Sequence, residues 1–170
     1  EAKRCALDLL GRLDDEDKVS LVVYDTSIDV LVETMPVRLA RTLMPMRLLD
    51  VEARGGTALH AGWLKGAETL APTAGSGMMS RVILLSDGEA NHGFVDTQQI
   101  CDQVRELASA GVTTSTVGIP SAARSENGDT LFKSIPEKGD GYFGSADGLH
   151  TVSYTVTNNF TGTATMQATL

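Results

Sequence analysis

Cysteine, aromatic side chains, positive charge and long apolar runs are all scarce in this chain, and each scarcity removes a class of function. Cys5 and Cys101 are the only cysteines among 170 residues. They lie far apart, and neither stands in a Cys-x-x-Cys or Cys/His pattern, so no cysteine-built metal or redox motif is present. Each falls instead on the apolar side of a predicted helix, beside Ala2, Ala6, Leu9, Leu10 and Leu13 or beside Ile100, Val104, Leu107 and Ala108. Both are expected as buried packing thiols. Aromatics make up 5% of the residues, and Trp63 and the methionines fit core stripes rather than a cofactor box. Lys and Arg number 14 against 22 Asp and Glu, a formal net charge of −8. That balance repels phosphate backbones and anionic lipid and argues against a nucleic-acid partner. No apolar run reaches the roughly 20 residues of a membrane helix, so this segment is expected to make no membrane insertion. Missing too are a Gly-rich Lys-Ser/Thr phosphate loop, a Gly-x-Ser-x-Gly elbow and, at Ser86-Asp87, the paired Asp-x-Asp of an aspartyl-phosphate enzyme. These absences point away from catalysis.

What is present is one domain's worth of globular sequence, 42% hydrophobic and 21% charged, long enough to bury a core without staples. The chain opens without an initiator methionine, directly in helical pattern at Glu1-Ala2-Lys3-Arg4. A piece of a longer polypeptide is therefore expected, and the lack of a targeting sequence decides nothing.

Residues 1–13 repeat apolar positions at helical spacing, and Asp14-Asp15-Glu16-Asp17 ends that helix in a solvated turn. Val19–Tyr24 is β-branched and largely apolar, as in a strand covered on both faces. Ile28–Glu33 alternates like an edge strand with one wet face. The pair is expected as a hairpin. Helical spacing over 37–50 is expected to break or restart at Pro45. Gly55-Gly56-Thr57 turns into a helix from Ala58 to Leu70, and Val82–Ser86 is a buried strand ending in Asp87-Gly88. A helix over 97–110, strands over 112–119 and 142–143 and a short helix over 131–137 continue the alternation. A doubly wound α/β fold is expected, Rossmann-like, with a mostly parallel sheet and helices on both faces. Leu149, Val152, Val156 and Phe160 fall at helical spacing although Thr151, Thr155 and Thr157 favour strand; a helix is preferred there. Residues 163–170 alternate as a strand, read as the opening of a following module or tail over 161–170 after a domain spanning 1–160.

In an open parallel sheet, ligands bind beyond the carboxyl ends of the strands. Asp87, at the end of a buried strand, and Thr57, at the start of a helix, are hard oxygen donors of the kind that Mg, Mn or Ca prefers. Asp-Gly is also a common turn pair and Thr57 a plain helix cap. A zinc site from Asp87, Glu89, His60 and His92 lacks familiar spacing, and solvated histidines near the rim are expected instead.

The hairpin over 19–33, Gly55-Gly56-Thr57-Ala58-Leu59 before a helix, and Val82-Ile83-Leu84-Leu85-Ser86-Asp87-Gly88-Glu89-Ala90-Asn91 occur in this order. Together they resemble the von Willebrand factor type A domain, in the form common in bacterial proteins, over about residues 1–160. The resemblance implies a metal-ion-dependent adhesion site. Thr57 is its second-loop ligand and Asp87 its third-loop ligand, with Gly55, Gly56, Gly88, Glu89 and Asn91 on the ligand-binding rim. It also implies what is absent: the family's first, central strand and the Asp-x-Ser-x-Ser loop after it, for which this chain has no counterpart. One hydroxyl and one carboxylate displace little of a hydrated cation's shell, so weak or absent divalent-cation binding is expected of this chain alone. The reading is a protein-binding module, not an enzyme, whose intact site holds a divalent cation and meets a partner protein through that partner's carboxylate. The alternatives are a Mg-dependent hydrolase or phosphotransfer enzyme, which needs a second acidic or nucleophilic group near Asp87, and a structural domain with a degenerate metal site.

Overall fold

The computed structural model describes residues 2–52, 55–73, 79–86, 90–119, 134–135, 137–139, 142–145, 151–153, 155–156 and 167–169, with backbone alone at 73 and from 142 onward. The order is α1 (Ala2–Arg12), β1 (Lys18–Tyr24), β2 (Ile28–Pro36), α2 (Val37–Leu49), α3 (Leu59–Leu70), β3 (Ser80–Ser86), α4 (Thr97–Ser109), β4 (Val112–Gly118), β5 (Tyr142–Ser145), β6 (Thr151–Ser153), β7 (Thr155–Val156) and β8 (Gln167–Thr169). A 3-10 turn over Ala71–Thr73 closes α3.

Local chemistry sets most boundaries. Asp96 caps α4 by accepting from the Gln99 N–H at 2.8 Å. The carbonyls left open at the end of α1 are taken by Arg41 of α2, whose guanidinium donates to Leu10 O at 3.1 Å and Leu13 O at 2.6 Å and pairs with Asp15. Pro36 sits at the N-cap of α2, where its fixed φ costs nothing. Pro45 does not break that helix, contrary to the expectation from sequence: α2 runs unbroken from Val37 to Leu49. The reason is tertiary. Val37, Ala40, Met44 and Leu48 form one buried stripe against Val32 and Leu10 on either side of the proline, and that burial outweighs one lost hydrogen bond.

Two packed layers flank the strands. On one face α3 and α4 bring Leu59, Trp63, Ala67, Ile100 and Val104 onto Val82 and Leu84 of β3 and Val112 of β4. Trp63 is 1% exposed, and its indole N–H donates to the equally buried Thr114 Oγ1 at 3.0 Å. On the other face α1 lays Cys5 and Leu9 over Val117 and Leu85, and α2 covers the β1–β2 hairpin. Both cysteines are buried and unbridged, as the apolar spacing predicts.

The sheet itself departs from expectation. A single, mostly parallel sheet was expected, but among the described residues β1 pairs with β2 alone, antiparallel as the expected hairpin, while β3, β4, β5 and β7 form a separate ladder. Within that ladder β3–β4 and β4–β5 are parallel, Ser80 opposite Val112 through Ser86 opposite Gly118. No backbone ladder joins β1 to β3. What crosses is a side chain: the Tyr24 hydroxyl donates to Leu85 O at 3.1 Å. The apolar edges on either side show the cost. No residue of β1 is fully buried, and Ile83 in β3 is 41% exposed.

The tail differs as well. Residues 151–153 and 155–156 are strands rather than a helix, in keeping with their β-branched composition. Gln167–Thr169 pairs antiparallel with Thr151–Ser153, so it does not enter the gap between β1 and β3.

Candidate functional site

The carboxyl ends of β1 and β3 and the amino end of α3 meet in three short segments: 25–27, 55–58 and 90–92. Asp25 builds the first. Its Oδ1 accepts from the Ser27 N–H at 2.7 Å and the Ser27 hydroxyl at 3.0 Å, an Asx turn that carries β1 into β2. This turn aims the Asp25 carbonyl at the Ala58 N–H, 2.7 Å away. Gly55, with φ of +51°, supplies the left-handed turn of the second segment. Gly56 is set by close approach: a Cβ there would lie 3.0 Å from Asn91 Oδ1 and 3.4 Å from His92 Cβ.

Thr57 sits where these segments cross. Its N–H donates to Asn91 Oδ1 at 2.7 Å, and its carbonyl accepts from the Asn91 and His92 N–H groups, each at 3.3 Å. Both main-chain polar groups are thereby held, while the Thr57 hydroxyl makes no hydrogen bond among the described residues. Thr57 does not cap α3 through its side chain; the N-cap is Ala58, with no side-chain cap bond. The plain-cap alternative therefore fails.

The structure thus brings Gly55, Gly56, Thr57 and Asn91 together. Asp87, Gly88 and Glu89 lie outside the described residues. Among the described residues no group of three or more His, Cys, Asp or Glu side chains could hold a metal ion. The donors present are oxygens, a hydroxyl and amide and peptide carbonyls, which is the chemistry of a hard cation rather than of zinc.

The histidines divide. His92 lies exposed at the rim, whereas His60 is half-buried and anchored. Its Nε2 donates to Gln103 Oε1 at 2.6 Å, and its ring meets Phe94 at 4.7 Å and Trp63 at 5.9 Å between centroids. Sequence reasoning missed this contact and the role of Asp25. The Asp-Thr-Ser run was a legible Asx-turn signal; the His60–Gln103 pair, on two different helices, carried none. A groove lined by Lys18, Glu33, Thr34, Lys65 and Thr69 lies at the opposite end of β1 and α3 and contains no candidate residue.

An α/β domain with helices on both faces and a loop-built oxygen cluster at the carboxyl end of its strands is the class that fold and site define. Within that class the chain belongs to the von Willebrand factor type A domain family, whose profile matches residues 1–161. The uncharacterized protein sll0103 of Synechocystis is 31% identical over 94 residues, 55% of this chain and 22% of that protein. The chain thus spans about a fifth of that relative's length. A von Willebrand factor type A structure from Catenulispora acidiphila superposes with a TM-score of 0.69 at 18% identity, covering 86% of this chain and 33% of that one. The conserved hypothetical protein BatB from Bacteroides thetaiotaomicron does so with a TM-score of 0.64 at 20% identity, covering 86% and 78%. Domains of this family are in general binding modules rather than enzymes, and they typically meet protein partners at a divalent-cation site. No helix among the described residues is long and apolar enough to cross a membrane.

Proposed function

We propose that this chain is the ligand-facing part of a cation-dependent protein-binding domain, engaging a partner's carboxylate at the carboxyl end of its strands. The observation that carries the reading is Thr57, held through its main chain by Asn91 and His92 with its hydroxyl unengaged among the described residues. Thr57 and Asp87 would hold the ion, and Gly55, Gly56, Gly88 and Glu89 would form the rim. When bound, a divalent cation supplies a positive centre with an open position for a carboxylate oxygen. The chain's own residues fix the donor loops, and the net charge of −8 favours a cation at the rim.

The domain is proposed to span residues 1–160, with 161–170 leading onward, and its gap between β1 and β3 to be filled by a strand of the polypeptide preceding residue 1. Such a strand would pair two open edges and bring its following loop to the same site. Without it the donors are few, and weak cation binding follows.

Weak binding suits a paramagnetic probe. Substoichiometric Mn added to the chain should broaden the amide signals of Gly56, Thr57 and Asn91 first, and Asp87→Ala should remove that selectivity. Uniform broadening, or broadening centred on the acidic turn at 14–17, would reject the site.

A further inference from the structure

We infer that Asn91 is a positioning residue for the cation site rather than a rim contact for the partner, an inference that rests on the cation reading above. Its carboxamide oxygen is already committed: Oδ1 accepts from the Thr57 N–H at 2.7 Å, the shortest of the three bonds that Thr57 makes to Asn91 and His92. Its own N–H donates to the Thr57 carbonyl at 3.3 Å, and the next residue's N–H does the same. Asn91 therefore grips one residue from both sides of its peptide, across a sequence separation of 34.

This grip decides where the Thr57 hydroxyl lies. The turn that carries Thr57 contains two glycines, one of them left-handed, and a diglycine turn has many backbone states to choose among. Among the described residues two fixings oppose that freedom. The Asp25 carbonyl holds Ala58 at 2.7 Å from the hairpin side, and Asn91 holds Thr57 from the loop after β3. Gly56 itself leaves room for the amide: a Cβ there would stand 3.0 Å from Asn91 Oδ1. The second and third loops of the site are thus one unit, joined through Asn91. A ligand group brought by the third loop and the hydroxyl brought by the second keep their spacing because of this side chain. The residue type matters as well. A neutral amide supplies the acceptor without adding a second carboxylate beside the ion, which leaves the ion's charge available to a partner's carboxylate.

Two variants separate this role from simple loop stability. Asn91→Ala removes the acceptor; Asn91→Asp keeps an oxygen at the same reach and adds a charge. In the 170-residue chain, the Thr57 amide should exchange with solvent on the order of tenfold faster in Asn91→Ala, the weight of one hydrogen bond, and stay protected in Asn91→Asp. In the intact polypeptide, with Mg alone as the probe, Asn91→Ala should weaken the cation's dissociation constant by about tenfold. Asn91→Asp should match or exceed the unaltered protein. A Thr57 amide indifferent to Asn91→Ala overturns the grip. A released amide with unchanged Mg affinity overturns the positioning role. Absence of Mg binding in the unaltered intact polypeptide instead overturns the cation reading, and the amide measurement still judges the grip by itself.

Discussion

Two glycines on the same chain predict opposite outcomes for the same substitution. A methyl at Gly56 would press on Asn91 Oδ1 and His92 Cβ, 3.0 and 3.4 Å away, and neither can retreat without loosening Thr57. A methyl at Gly11 in α1 meets nothing within 4 Å. Gly56→Ala should therefore destabilise the chain by about 1–3 kcal/mol, and Gly11→Ala should stabilise it by roughly 0.5–1 kcal/mol, both read from urea midpoints. Equal effects would mean that the contact at Gly56 is not tight. Cys101 gives a second residue-scale test. Burial pushes its thiol up, with the nearby Asp102 and Glu137 carboxylates adding to that and Lys138 and Arg105 opposing it. Below the ordinary thiol range the proton is held in both states. Above it the unfolded chain releases a proton that the folded chain keeps, so stability falls as pH rises from that range through the folded value. Cys101→Ala should flatten the alkaline fall in unfolding free energy; an unchanged slope would remove Cys101 as its source. The thiol's burial was legible from its place on the apolar stripe of α4. The grip on Thr57 was not, because a bond between residues 57 and 91 depends on how two loops meet, and no local spacing encodes that.

The α2 helix shows where reading elements from sequence reaches its limit. Its stripe of Val37, Ala40, Met44 and Leu48 was visible, but Pro45 was given the deciding weight, and packing on Val32 and Leu10 reversed that. The proline still carries its cost. Pro45→Ala restores an N–H that can reach the Arg41 carbonyl, and it should raise stability by about 1–3 kcal/mol, up to the interior proline penalty. A neutral or lowered urea midpoint would show that α2 has relaxed around the ring. Elements whose pattern and propensity agree, such as β3, β4 and α4, were placed from sequence to within two residues. Those whose signals conflict went wrong, as at 151–156, where helical spacing competed with β-branched composition and composition prevailed.

For the whole molecule, the family's order of hairpin, diglycine turn and Ser-Asp-Gly strand end was enough to give the family and the α/β fold. Among the described residues the β1–β2 and β3–β4–β5–β7 ladders stay separate, and the strand proposed to precede residue 1 would stand between them. The half-buried apolar face of β1 and the exposed Ile83 mark the edges such a strand would cover. Pairing both edges and completing the cation site are one event in this account, so stability and cation response should rise together. The most direct measurement is the thermal unfolding midpoint of the chain extended upstream of Glu1, with and without Mg, beside the 170-residue chain and an extended Asp87→Ala variant. The account predicts a higher midpoint on extension and a further rise with Mg that Asp87→Ala abolishes and the 170-residue chain barely shows. An equal Mg-dependent rise in the 170-residue chain, or one that survives Asp87→Ala, would contradict it.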